Sequence, residues 1–181
     1  MEIVEKNFTE VIELIRATRI RVLQNVNAEL IDLYWQIGKH ISYKIAESGW
    51  GKSVVAELAN FIAQNEPSAR GFSDKNLWRM KQFYETYKNL PKLSALLREI
   101  SWSHNLAIMS RCKADEEKEF YLKLCIGERF SFRELERQIS SSVFERTMLG
   151  NQKLSTVLRE LPQDITGAFT RQLHFRVFEF A

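Results

Sequence analysis

Apolar residues recur at three- and four-residue intervals along most of this chain, and a helix is the element that places such positions on one face. An Asn7/Glu10 cap precedes Val11, Ile12, Ile15, Ile20, Leu23 and Val26. The pattern runs on through Leu30, Ile31, Tyr34, Trp35, Ile37, Gly38, Ile41 and Ile45. It predicts one long helix, or two joined near Asn25-Val26-Asn27, ending at Ser48-Gly49. After a turn at Trp50-Gly51-Lys52, Val54, Val55, Leu58, Phe61 and Ile62 mark the next helix. Pro67 and Gly71 bound a loop, and a helix capped by Ser73 follows to about Tyr87. Pro91 breaks the chain before a short helix from Leu93 to Ile100 and another from Trp102 to about Arg111. Asp115-Glu116-Glu117 opens a helix whose dipole favours acids at its start, with Phe120, Tyr121, Leu124 and Cys125 inward. A helix capped by Ser131 is expected to reach about Leu149.

Beyond Pro162 the pattern changes to β-prone aromatic residues, with Phe175, Val177, Phe178 and Phe180 at the end. That tail holds too much apolar surface to be left in water. It is expected to pack across the helical body or to pair with a second copy of the chain. The predicted fold is all-α, a multi-helix domain with helix-turn-helix-like units and a short aromatic tail. Its parts are a long helix or helix pair at 1–48, a basic unit at 49–113, a second helical unit at 114–161 and the tail at 162–181, together forming one compact domain.

One phrase occurs twice. Phe72-Ser73-Asp74-Lys75-Asn76-Leu77-Trp78-Arg79 is echoed 58 residues later by Phe130-Ser131-Phe132-Arg133-Glu134-Leu135-Glu136-Arg137. In each, serine is an N-cap, the preceding Phe a hydrophobic staple, and Leu turns inward one turn on; in the second copy Glu134 completes a capping box. A helix that starts sharply after a helix and a short turn is the geometry of helix-turn-helix DNA readers. Capped starts also occur in helical proteins that bind no nucleic acid.

Composition narrows the function classes. Hydrophobic residues make up 45% of the 181, enough for a real core, and 7 Gly with 3 Pro leave room for long helices. No run is apolar enough to span a membrane and no leader is visible, so a soluble cytoplasmic protein is expected. Cys112 and Cys125 read as two reduced thiols, and His40, His104 and His174 are too scattered for a zinc cluster. No cofactor or metal is expected. The net charge of +3 is modest, but residues 49–113 hold 10 basic and 5 acidic side chains, while residues 1–48 hold 6 and 7. The positive excess therefore surrounds the first copy of the repeat, where a phosphate-binding footprint would sit.

Several phrases in fixed order carry a resemblance. They are Leu33-Tyr34-Trp35-Gln36-Ile37-Gly38, Gly49-Trp50-Gly51-Lys52, Gly71-Phe72-Ser73 with Asn76-Leu77-Trp78 and Gln82-Phe83-Tyr84, Ser101-Trp102-Ser103-His104-Asn105, and Phe130-Ser131 with Glu134-Leu135. The series resembles the N-terminal domain of the YhcG-like family of bacterial proteins, over roughly residues 8 to 180. The resemblance implies a helical nucleic-acid-binding module that precedes a nuclease-like domain of the PD-(D/E)xK class. The family segment usually closes on a Lys-Asp-Pro-Tyr phrase, where this chain has Leu173-His174-Phe175-Arg176-Val177-Phe178-Glu179-Phe180. The nuclease domain would begin where the sequence stops.

The residues themselves supply no catalytic set. A PD-(D/E)xK site needs carboxylates and a lysine on adjoining strands, yet the only acid-x-Lys phrase, Glu116-Glu117-Lys118, falls on a helix and reads as a solvated charge run. His104 beside Trp102 reads as a cap or packed side chain. The chain is therefore not expected to be an enzyme by itself. On the Ser73 helix, Met80, Phe83, Tyr84 and Tyr87, with Leu77 at the edge, should face the core. Lys75, Arg79, Gln82 and Thr86 share the opposite stripe, where Arg and Lys can reach phosphate or guanine and Gln can pair with adenine. Lys52 and Arg70 flank it. Arg133 and Arg137, with Ser140, form a second, weaker stripe opposite Phe132, Leu135, Ile139 and Val143. Trp78 lies beside the polar stripe and reads first as packing under a neighbouring helix, with stacking on a ligand or an interface as the alternatives. Phe144 falls on the outer side of its helix, and Trp78, Phe144, Phe175 and Phe178 are the candidate interface residues. The expected partners are DNA, a nuclease domain in cis or in trans, and a second copy as a homodimer. The competing reading is a protein-interaction or oligomerisation adaptor that does not touch DNA.

Overall fold

The structure is a computed structural model that describes the backbone over residues 2–149 and side chains from residue 8. Among these residues every regular element is a helix. Contacts divide the chain into two units, one up to Ser110 and one from Arg111 onward.

In the first unit, α1 (Glu2–Ser48) is a single helix. It runs through Asn7, so the expected Asn7/Glu10 cap does not start it. Nor does it break at Asn25-Val26-Asn27. The Asn27 side chain reaches away from its own backbone: Nδ2 donates to the carbonyls of Arg98 (2.8 Å) and Ile100 (3.1 Å), which need donors at a helix end. Asp32 pairs with Arg98 at 2.7 Å one turn further along. Gly49, at φ +64°, ends α1 in the left-handed region where glycine carries no steric cost.

Helices α2 (Lys52–Asn65) and α3 (Asp74–Tyr87) follow, joined by residues 66–73. A 3-10 turn (Pro91–Leu93) leads into α4 (Ser94–Glu99), and α5 (Trp102–Arg111) closes the unit. The core gathers Tyr34 and Ile41 from α1, Val55 from α2, and Leu77 and Met80 from α3. Helices α1 and α3 cross at Gly38. A Cβ there would lie 2.1 Å from the Met80 carbonyl oxygen, so only glycine permits this approach. Asn105 is fully buried and donates to the carbonyls of Leu97, Ile100 and Ser101, which ties the end of α4 to the start of α5.

In the second unit, α6 (Asp115–Glu128) packs against α7 (Phe132–Ser140), burying Tyr121, Leu122, Cys125 and Leu135. The Ser131 helix stops at Ser140 instead of reaching Leu149, and helix resumes only over 143–149. The run Ser140-Ser141-Ser142 explains the break. Ser140 Oγ and Ser141 Oγ donate to the carbonyls of Glu136 (2.7 Å) and Gln138 (3.1 Å), competing with helix bonding, and Ser142 turns to φ +52°. The buried Tyr121 hydroxyl bridges the gap, donating to the Gln138 carbonyl and accepting from Phe144 N–H, each at 3.3 Å.

The phrase Glu116-Glu117-Lys118 is no solvated charge run. Lys118 is 8% exposed, and its Nζ donates to Asp115 Oδ1 at 2.9 Å and to the Lys113 carbonyl at 3.1 Å. Glu117 accepts from Lys113 N–H at 2.8 Å, so the phrase caps the start of α6. The residues of the aromatic tail, Phe175 and Phe178 among them, lie outside those described.

Candidate nucleic-acid interface

The candidate surface begins with the cap of α3. Ser73 sits at φ −63°, ψ 155°, and its Oγ accepts from Asn76 N–H at 3.3 Å. Ser131 repeats this at φ −68°, ψ 160°, accepting from Glu134 N–H at 3.3 Å. The two phrases thus encode one cap geometry. The reciprocal half of the expected box is replaced, because Glu134 Oε1 accepts from Arg137 (2.7 Å) and Gln138 (2.6 Å). These hydrogen bonds hold the Glu134 carboxyl below its usual range.

The turn before α3 is anchored on the aromatic core. Gly71 stands at φ +92°, and a Cβ there would lie 3.1 Å from the Tyr34 hydroxyl. Asn76 donates through Nδ2 to the Gly71 carbonyl and accepts from Trp102 Nε1 at 3.0 Å. Phe72 and Trp102 both lie against Tyr34, with ring centroids 6.1 and 4.7 Å apart, and Trp102 also meets Phe83 at 5.2 Å. The N-terminus of α3 is therefore held by side chains from three other segments. His104 belongs to this support as well, with Nδ1 2.6 Å from Ser101 Oγ, which caps α5 through His104 N–H at 3.4 Å.

On the inner face of α3, Leu77, Met80, Phe83 and Tyr87 are buried and Tyr84 is half-buried. Lys75, Arg79 and Gln82 are exposed, as are Lys52 at the start of α2 and Arg70 in the preceding loop. No ion pair among the described residues uses Lys52, Arg70, Lys75 or Arg79. Their charges are unspent, whereas Lys81 on the same helix pairs with Glu85 at 2.7 Å. Trp78 is half-buried against the core, with Lys81 Nζ 5.8 Å from its ring centre. Arg70 also lines a shallow groove of about 490 Å³ that runs between α2 and the start of α3.

Similarity to known proteins decides the family. Residues 10–146 match the family described as "DUF1016 N-terminal domain". The chain belongs to that family. It is also 25% identical over 187 residues to the protein named "Putative nuclease YhcG" of Escherichia coli (strain K12), covering 85% of this chain and 49% of that protein. The chain thus spans about half the length of this curated relative. No solved structure matches it.

Within this DUF1016 N-terminal domain the second stripe differs from the first. Arg133 is exposed, but Arg137 is committed to Glu134 at 2.7 Å. Phe132, read as inward, is 38% exposed, because Leu135 alone fills the buried face of α7. Phe144 is half-buried and packs on Phe120 with centroids 5.5 Å apart. Among the described residues no helix is long and apolar enough to cross a membrane, and no cluster of three His, Cys, Asp or Glu could hold a metal ion. Both thiols are buried. Burial, reinforced by Glu117, pushes Cys112 up to about 12, and burial pushes Cys125 up to about 11, so neither is a thiolate nucleophile near neutral pH. Sequence reasoning missed the anchoring role of Asn76, although its place three residues after a capping serine in Gly71-Phe72-Ser73 signals a side chain that reaches back to the turn.

Proposed function

We propose that this domain is a nucleic-acid-binding module, acting on DNA, that delivers an attached or partner nuclease of the PD-(D/E)xK type and performs no catalysis itself. The observation that carries the reading is the outer stripe of α3. Lys75, Arg79 and Gln82 stand exposed and unpaired by carboxylates on a helix whose opposite face is locked into an aromatic core. Lys52 and Arg70 extend the positive surface, with Arg133 and, less freely, Arg137 as secondary contacts. A rigid helix that presents two cations and an amide along one stripe suits phosphate contact and readout of a base edge. The name of the relative, "Putative nuclease YhcG", supports a nucleic acid as the partner.

Titration of a labelled duplex at several salt concentrations tests the proposal. Log affinity should fall linearly with log salt, because each phosphate contact releases counterions. Arg79→Ala should weaken binding by ~1–3 kcal/mol if Arg79 reads a base, or lower the salt slope by about one if it contacts phosphate alone. Unchanged affinity with unchanged slope removes α3 from the interface and favours an adaptor that never touches DNA.

A further inference from the structure

The first half of α1 carries a large apolar surface that its own unit leaves uncovered. Every described residue from Phe8 to Val26 is exposed, including Phe8 at 64%, Ile15 at 48% and Val26 at 60%. Eleven large apolar residues between Phe8 and Leu33 are exposed; Leu14 and Ile20 stand apart, and the other nine lie on or beside one stripe. Phe8, Ile12, Ile15, Arg19, Val22, Val26, Glu29 and Leu33 follow one another at alternating intervals of four and three, the seam spacing of a coiled coil. This seam differs from the face that α1 turns to the core, where Ile31, Tyr34, Gly38 and Ile41 are buried. The seam extends for about 38 Å at 1.5 Å per residue. A specific interface needs on the order of 1,000 Å² in total, or roughly 55 Å² from each of nine apolar side chains per chain, the six of the seam with Val11, Leu23 and Leu30 beside it.

Two charges interrupt the seam, and they identify the occupant. Arg19 and Glu29 are both exposed and of opposite sign. In a parallel pair of identical helices each would face its own copy, arginine against arginine and glutamate against glutamate. In an antiparallel pair centred at Gln24, Arg19 meets Glu29 of the partner subunit twice over. The same register sets Val22 against Val26 of the partner subunit and Ile15 against Leu33 of the partner subunit. It lays Ile12 and Phe8 along the polar end of the stripe, at Gln36 of the partner subunit and His40 of the partner subunit. We infer that α1 is a self-association element, and that two copies of this chain pair through antiparallel α1 helices with reciprocal Arg19–Glu29 contacts. The contact is isologous and closes as a dimer. It is independent of whether α3 touches DNA.

Sedimentation equilibrium of the 181-residue chain, of Arg19→Glu, of Glu29→Arg and of their equimolar mixture tests this. The wild-type chain should be a dimer. Either single variant should dissociate about tenfold more readily or worse, since two attractive pairs become two like-charge pairs. The mixture should recover the wild-type mass, because each heterodimer again sets Arg against Glu at both crossings, and so should the doubly substituted chain. Both substitutions lie on exposed positions, and recovery in the mixture shows that the single variants are folded. A wild-type chain that stays monomeric at ~100 µM overturns the proposal, as it would if residues 150–181 of the same chain or a different protein cover the seam. A dimer whose mass neither single variant changes overturns it too.

Discussion

Two residues hold the α3 surface in place by opposite means, one by lacking atoms and one by using them. Gly38 lets α1 meet the Met80 carbonyl; Gly38→Ala forces backbone against Cβ at 2.1 Å, and neither helix can yield by a rotamer change. The variant should lose about 1–3 kcal/mol or more, read as a lowered denaturation midpoint with an unchanged denaturant slope. Ser73 acts through a single oxygen. Ser73→Ala and Ser131→Ala should each cost ~1 kcal/mol, and nearly the same amount, since the two caps share dihedrals and bond length. A cost at only one of the two would mean that the repeat is one of letters and not of physics. Both serines and their roles were legible from the phrase itself. Gly38 was not, because an apolar helix with one glycine looks the same whether that glycine is in solvent or beneath another backbone.

At the scale of elements, α1 and α3 are joined by a titratable clasp. Glu85 accepts from Lys81 at 2.7 Å on its own helix and from Ser42 at 2.9 Å on α1. Burial raises its carboxyl, but the hydrogen bonds from Lys81 and Ser42 outweigh burial and hold it below its ordinary value of 4.5. A carboxyl with a depressed folded-state pKa contributes stability that is present above the unfolded value and is lost as pH falls through the folded one. Wild-type protein should therefore lose stability on acidification below about pH 4.5 more steeply than Glu85→Gln, as thermal melts across that range would show. If the two curves run parallel, Glu85 does not link the helices. Helix starts could be read from local chemistry, as at Ser73 and Ser131. The end of α7 could not, since three serines are tolerated in a helix until a buried hydroxyl such as that of Tyr121 takes the freed groups on both sides of the break.

For the molecule as a whole, chemistry and charge divide along the chain. Within the basic excess of residues 49–113, Lys52, Arg70, Lys75 and Arg79 face outward with no ion pair among the described residues, while Lys118, in an acidic stretch, became a buried cap. The thiols are equally withdrawn. With Cys112 and Cys125 pushed up to about 12 and about 11, native protein at pH 8 should react with iodoacetamide far more slowly than urea-unfolded protein, by about tenfold or more. Rapid labelling of either residue in the native state would place it at a reactive surface instead.

Taken alone, the sequence determined what depends on neighbours in the chain. The all-α class, the serine caps, the exposure of Lys75, Arg79 and Gln82 and the family relation all follow from periodicity, short-range hydrogen bonding and ordered phrases. Tertiary structure decided what depends on partners far along the chain. It made α1 continuous through Asn27, because carbonyls at the end of α4, more than 70 residues away, take that side chain. It set Gly38 under Met80 and gave Lys118 a place inside. It also separated the two faces of α1, one consumed by the core and one left in solvent. Apolar periodicity marks both faces alike, since burial is a property of what packs against a helix and not of the helix itself.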